Sequence, residues 1–122
     1  MTAEQTARAR RSKRLGWASE RRAAEIFGTK RYPANTGGPV DLLPVDGLYL
    51  QVKAGKTITM ATLLDGLDAA RRGAAPSHGL GAVVLEYHRA PRHSRTVICF
   101  DAAEYADWHG YDRRDAGEED DD

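Results

Sequence analysis

The stretch Gly37–Lys56, GGPVDLLPVDGLYLQVKAGK, decides how the rest of the chain is read. Its second half alternates: Leu48, Leu50, Val52 and Ala54 fall on one face, Tyr49, Gln51 and Lys53 on the other. A period of two marks a half-buried strand. A second apolar run, Val40–Val45, precedes it across Asp46-Gly47, a strong hairpin signal. Asp41, Gln51 and Lys53 then offer a carboxylate, an amide and an ammonium, beside a Gly-Gly-Pro loop that allows close approach of a ligand.

Whether those groups converge depends on the register. A two-residue Asp46-Gly47 loop pairs Val45 with Leu48 and sets Asp41 opposite Val52, on the wrong face. A three-residue loop, Val45-Asp46-Gly47, pairs Pro44 with Leu48 and sets Asp41 opposite Gln51. Gly47 suits the left-handed position of a type I turn with a bulge, so the three-residue loop is the expectation. A slip of one residue turns a whole strand over.

At 122 residues the chain is expected to form one domain with a single core. It has no apolar run long enough to span a membrane, and its basic start lacks the apolar segment of a signal peptide. Cys99 is the one cysteine, set in an apolar run, and reads as a buried inert thiol in a cytoplasmic protein. Abundant Arg, Ala, Gly and Asp point to a GC-rich genome, bacterial or phage.

Formal net charge is zero, but it is unevenly spread. Residues 112–122 hold seven acids against Arg113 and Arg114, so the remainder has 16 basic and 11 acidic residues, a net +5. Nine basic residues lie in 1–31 against Glu4, Glu20 and Glu25. A basic body with an acidic tail suits a polyanion such as nucleic acid, or is ordinary solubilising charge.

In chain order, residues 1–12 read as a basic flexible arm, 13–110 as the folded domain and 111–122 as an acidic disordered tail. From Lys13 to Phe27 a helical stripe gathers Gly16, Trp17, Glu20, Ala23, Ala24 and Phe27, with Arg14, Arg21, Arg22 and Glu25 on the solvated side. Glu20 inside that stripe needs a partner: a metal, a lysine or backbone donors, or an ion pair at the core edge. Lys30–Asn35 reads as a short strand before the hairpin. Thr57 or Thr59 then caps a helix whose stripe of Met60, Leu63, Leu64, Leu67 and Ala70 is expected in the core, with Gly73 and Pro76 as the stop. Leu80–Tyr87 has the near-continuous apolarity of a strand buried on both faces. Thr96–Phe100 pairs with it across a loop carrying Arg89, Arg92 and Arg95, which either touches phosphates or is a solvated tip. Asp101 and Glu104 form a capping box for a last helix to about His109. The expected order is α-β-β-β-α-β-β-α, an α/β fold with a mixed sheet flanked by helices.

No phosphate-binding glycine loop, CxxC or HExxH pattern is present. His78, His88, His93 and His109 share no ligand spacing, and Ser19 and Ser94 lack an evident relay. What remains is Glu20, Asp41, Gln51 and Lys53. Two carboxylates and an amide oxygen are hard ligands suited to Mg²⁺ or Mn²⁺, with Lys53 placed to steady developing negative charge.

Arg14-Leu15-Gly16-Trp17-Ala18-Ser19-Glu20-Arg21 has the G-x-x-x-E-R shape of the first helix of archaeal-type Holliday-junction resolvases, and GGPVDLLPVDGLYLQVKAG resembles the PD-(D/E)XK motif of the same restriction-endonuclease-like superfamily. The resemblance covers roughly residues 13–109. It implies a restriction-endonuclease-like core that cleaves DNA with Mg²⁺ or Mn²⁺. Asp41 matches the motif aspartate, Gln51 the second acidic position, Lys53 the lysine and Glu20 the helix acid, with the Val52 carbonyl assisting the metal. Val40 stands where proline is usual, and Gln51 removes a charge, although Mrr-like restriction nucleases also use Q-x-K. The resemblance further implies a branched-DNA substrate and a homodimer, with Lys13, Arg14, Arg21, Arg22, Arg89, Arg92 and Arg95 as candidate backbone contacts. The alternatives are a restriction- or repair-type nuclease on another DNA structure, a non-catalytic DNA-binding module, or a small scaffold protein whose tail engages a basic partner.

Overall fold

The computed structural model describes residues 2–33, 40–88 and 94–110, with backbone only at 11–15 and 94. Helix α1 spans Ala3–Phe27, strand β1 Leu48–Gly55, helix α2 Met60–Ala74, strand β2 Leu80–His88, strand β3 Ser94–Cys99 and helix α3 Ala102–His109; a 3₁₀ turn at Ala75–Ser77 follows α2. The sheet is three-stranded and mixed, in the order β1-β2-β3. β1 and β2 are parallel, with Leu48 beside Leu80 and Gly55 beside Tyr87, and α2 is the crossover that parallel neighbours require. β3 returns antiparallel, with Val83 beside Cys99. The chain is thus mixed α/β, a small sheet flanked by helices.

Where two strands were expected before β1, the described residues form single bridges, Arg31 with Leu42 and Val45 with Leu48; the end of the first expected strand and the loop Thr36-Gly37-Gly38-Pro39 lie outside the described residues. α1 starts ten residues earlier than its apolar periodicity, so residues 3–12 are helical where a flexible arm was expected. The cause is readable after the fact. Thr2-Ala3-Glu4-Gln5 is a capping box, in which the Thr2 hydroxyl accepts from the Gln5 amide and the Gln5 side chain accepts from the Thr2 amide. The helix stops at Gly28, which is left-handed (φ 67°). The acidic tail, 111–122, lies outside the described residues.

One face of the sheet packs on α1. Ala23 and Ala24 meet Leu42, Leu50, Ala82 and Val84, with Phe27, Leu48, Val52, Ile98 and Phe100 around them. The small alanines let α1 sit low, and Ser19, absent from the expected stripe, is buried there with them. The other face packs on α2, and here the expected stripe holds only in part: Ala70 is buried and Leu63 and Leu67 are half-buried. Met60 and Leu64 are exposed, whereas Gly66, Ala70 and Ala74 are buried at intervals of four. The reason is distance: a Cβ on Gly66 would lie 2.9 Å from Val83 Cγ2, and one on Gly81 would lie 2.6 Å from the Ala70 carbonyl carbon. The helix approaches β2 so closely that only small residues fit between them, and the leucines are displaced to the flank. Because α2 covers it, the face of β1 carrying Gln51 is buried rather than open.

Thr59 caps α2, Asp101 caps α3 by accepting from the Glu104 amide, and α3 ends at Gly110. Cys99 is half-buried rather than buried. No described helix is long and apolar enough to cross a membrane.

Gly81→Ala drives a Cβ into the backbone of α2, which cannot rotate away, so it should cost about 1–3 kcal/mol. Gly16→Ala, in mid-helix with nothing near the new methyl, should add about 0.5–1 kcal/mol. Urea denaturation of the two variants beside the parent checks both signs.

Candidate functional site

The hairpin turn has two residues, not three. Val45 and Leu48 exchange both backbone hydrogen bonds, N–H to O at 3.2 and 2.8 Å. Asp46 (φ 50°) and Gly47 (φ 78°) are both left-handed, the signature of a type I′ turn, whose twist suits a tight hairpin better than a bulged loop. Counted along such a ladder, Asp41 would stand across from Val52, on the wrong face; the ladder does not extend that far.

The consequence expected of that register, an Asp41 aimed the wrong way, does not follow. Beyond Val45 the ladder is abandoned, because the next residue that would bond β1, Leu43, turns its amide to Lys30 instead. Leu43 donates to Lys30 O at 2.7 Å, Tyr32 donates to Asp41 O at 3.0 Å, and Asp41 donates to Leu50 O at 3.0 Å. The Asp41 carbonyl is therefore spent on Tyr32, and its carboxylate takes over the vacant place at β1: Val52 N–H donates to Asp41 Oδ2 at 2.7 Å. Asp41 sits at the open edge of β1, between the two faces of the sheet.

From that edge it senses charges on both sides. Burial pushes the Asp41 carboxyl above its ordinary 3.8; the Val52 amide opposes this, the Glu20 charge adds to it, and Lys53 and Arg31 oppose it. Glu20, Asp41, Lys53 and Arg31 thus form one electrostatic cluster. Glu20 takes the ion-pair option left open by the sequence, with Arg31 Nε donating to its Oε2 at 2.7 Å. Gln51 is buried under α2 and already partnered. Lys53 runs along the same face, its Cε 3.5 Å from where a Gly66 Cβ would be, so the glycine that admits the close helix also makes room for the lysine stem. Among the described residues no three His, Cys, Asp or Glu side chains converge on one point.

A second charged cluster was not legible beforehand. Glu86, within the apolar run of β2, has a side chain only 4% exposed. Arg22 grips both its oxygens, Nε to Oε2 at 2.8 Å and Nη2 to Oε1, Ser19 Oγ donates to Oε1 at 3.2 Å, and His88 Nε2 lies 2.8 Å from Oε1. The Arg22 hydrogen bonds hold the Glu86 carboxyl below its ordinary 4.5 and the Arg22 guanidinium up. An acid in the middle of a buried strand was the available signal, since such a group demands a cation. Arg22, expected to meet a phosphate, is instead committed to this pair. Arg21 and Arg95 are exposed. The side chains of Lys13 and Arg14, like residues Arg89 and Arg92, lie outside the described residues.

No protein-family model matches this chain, and neither curated proteins nor solved structures give a match.

A carboxylate whose folded pKa is raised costs stability once ionised. The cost should grow as pH rises from 3.8 to the raised value and stay constant above it. Asp41→Asn keeps an acceptor for Val52 N–H without the charge. It should be more stable than the parent at pH 7, with the difference shrinking as pH falls toward 3.8. Urea midpoints across that range check it; a variant that loses stability at pH 7 would contradict the assignment.

Proposed function

We propose that this chain hydrolyses DNA phosphodiester bonds with the help of a divalent cation, as an endonuclease of restriction-endonuclease-like build acting on branched DNA, and that it works as a homodimer. The observation that carries the reading is Asp41: a half-buried carboxylate anchored by a strand amide at 2.7 Å, its carboxyl pushed up by burial, within the field of a second carboxylate, Glu20, and of Lys53. Together with the helix-acid and Q-x-K pattern of the sequence, this supports a metal-assisted hydrolysis of phosphodiesters.

The donor set fits Mg²⁺ or Mn²⁺ in a hydrated form. Mg²⁺ binds through one or two carboxylates and retains several waters, so it needs no cage of three acids. Asp41 Oδ1, Glu20 and the Val52 carbonyl, which leaves the strand on the same side as the Val52 N–H, are the groups that would hold it. Such an ion neutralises phosphate charge and acidifies a bound water. The protein's own contributions are separate. Val52 N–H fixes the Asp41 rotamer, Arg31 holds Glu20 beside it, and Lys53 places a fixed positive charge where the phosphate gathers negative charge. Gln51 brings no charge, which leaves Asp41 and Glu20 as the anionic pair. Exposed Arg21 and Arg95 are available for sequence-independent phosphate contacts.

A second reading, a DNA-binding module without catalysis, is favoured by the Arg31–Glu20 pair, which supplies Glu20 with a cation from the chain itself. The two separate by metal and mutation. Labelled four-way junction, fork, nicked duplex and plain duplex are incubated with Mg²⁺, Mn²⁺ or EDTA. The nuclease reading expects paired nicks on the junction, lost in EDTA and reduced about 100-fold or more in Asp41→Ala and Lys53→Ala, with DNA binding retained. Cutting of another substrate would replace the junction by a repair- or restriction-type target. Binding without any cutting would establish the module.

A further inference from the structure

Trp17 belongs by spacing to the buried stripe of α1, yet it is 44% exposed, while Ala23 and Ala24 of the same stripe are 1% and 4% exposed. It takes no part in the apolar cluster beneath the helix. Its ring instead faces the guanidinium of Arg31, whose central carbon is 5.5 Å from the ring centroid, and Arg31 in turn holds Glu20. Glu20 follows Trp17 by three positions and exposed Arg21 by four, so all three share one side of the helix. The indole therefore borders the Asp41 cluster and is surrounded by charge.

The other tryptophan sets a useful contrast. Trp108 is 40% exposed, but its Nε1 donates to His78 O at 3.3 Å and its ring covers the hairpin turn at Gly47, within 2.9 Å of where a Cβ would stand. Trp108 thus has a packing role. Nor does Trp17 extend an apolar docking patch. Ile26, the other exposed large apolar residue among the described side chains of α1, lies about 13 Å further along the helix and on its opposite side. A large flat ring, outside the apolar cluster of the described residues and beside Arg31 and Arg21, suits a ligand that is itself flat, apolar on its face and attached to anions. An unpaired nucleobase on its phosphate backbone has those properties.

We propose that Trp17 is a stacking platform for an unpaired nucleobase, with Arg31 and Arg21 beside it for the adjoining phosphates. This deepens the nuclease reading and rests on it for its location: the nucleic acid at the Asp41 edge is single-stranded, or is an unpaired segment of a branched duplex. Stacking is indifferent to base identity, so it adds selectivity for strand state rather than for sequence. Arg31 then has two tasks, fixing Glu20 through Nε and presenting its remaining donors to the strand.

The test uses intrinsic fluorescence, because the chain has only two tryptophans. Trp108→Phe leaves Trp17 as the sole emitter, and the difference in emission between parent and Trp17→Phe isolates the same signal should loss of Trp108 impair folding. Each protein is titrated in EDTA with oligothymidylate, oligouridylate and a duplex of equal length. The expected result is quenching of Trp17 by the single strands, with little by the duplex. Trp17→Ala should weaken single-strand binding by about 5- to 100-fold while leaving duplex binding within roughly twofold. A preference between the thymidylate and uridylate strands would assign DNA or RNA as the source, and either supports stacking. Unquenched Trp17 emission on single-strand binding would overturn the proposal, as would equal losses for single strand and duplex, or a change of oligomeric state in Trp17→Ala. Because no metal is present, failure here leaves the nuclease reading standing, and failure to cleave leaves this one standing.

Discussion

The amide of Val52 points out of the side of β1 away from β2, where no further strand of the described residues runs alongside it. A strand amide left in that position must find water or an acceptor. The acceptor is a side chain, Asp41 Oδ2, at 2.7 Å. Much of the molecule follows from that one bond. It requires the segment before β1 to leave the hairpin ladder after Val45, to pair with 30–32 instead, and to bring its carboxylate across the sheet edge. It also sets a carboxylate where burial and Glu20 both oppose ionisation, while the Val52 amide, Lys53 and Arg31 favour it. A structure that needed only to cap the edge of β1 would do so more cheaply with a neutral acceptor. Charge retained at a cost is the reason for reading this edge as a site.

The two charged clusters differ in that respect. Glu86 is deeper than Asp41, but Arg22, Ser19 and His88 surround it, and its carboxyl is held below the ordinary value. That is a settled ion pair, which anchors α1 to β2. Asp41 is shifted the other way, so its charge is under-compensated by the chain itself. The contrast assigns a structural task to one carboxylate and leaves the other available for a ligand.

What the sequence disclosed, and what it hid, divides by range. β1, β2, β3 and the starts of α2 and α3 were legible because alternation, apolar runs and caps such as Thr59 and Asp101 are local. The turn was not, since Asp46-Gly47 fits either a two-residue or a bulged loop; twist favours the former, and the loss of the ladder beyond Val45 favours neither. The sheet-facing side of α2 was read correctly at Ala70 and wrongly at Met60 and Leu64, because large apolar residues usually mark the core. Here Gly81 opposite Ala70 forces a contact too close for them, and that pairing is remote in sequence. The start of α1 was recoverable from Thr2 and Gln5 and was obscured by the arginines that follow. For the site, the residue types were legible and the geometry was not: the Asp41 carboxylate reaches the Val52 amide by a route the expected register did not contain, it feels the charges of Glu20 and Lys53, and Gln51 and Lys53 both lie on the face that α2 covers.

The central claim is that Asp41 carries a charge that awaits a cation. It is tested most directly by an NMR titration of the Asp41 side-chain carboxyl carbon, with and without Mg²⁺. Without the metal the account expects a midpoint above the ordinary carboxylate range, and with Mg²⁺ a midpoint driven down, accompanied by shifts at Glu20 and at the Val52 carbonyl. An Asp41 that titrates at an ordinary value, or whose midpoint ignores Mg²⁺, would contradict it.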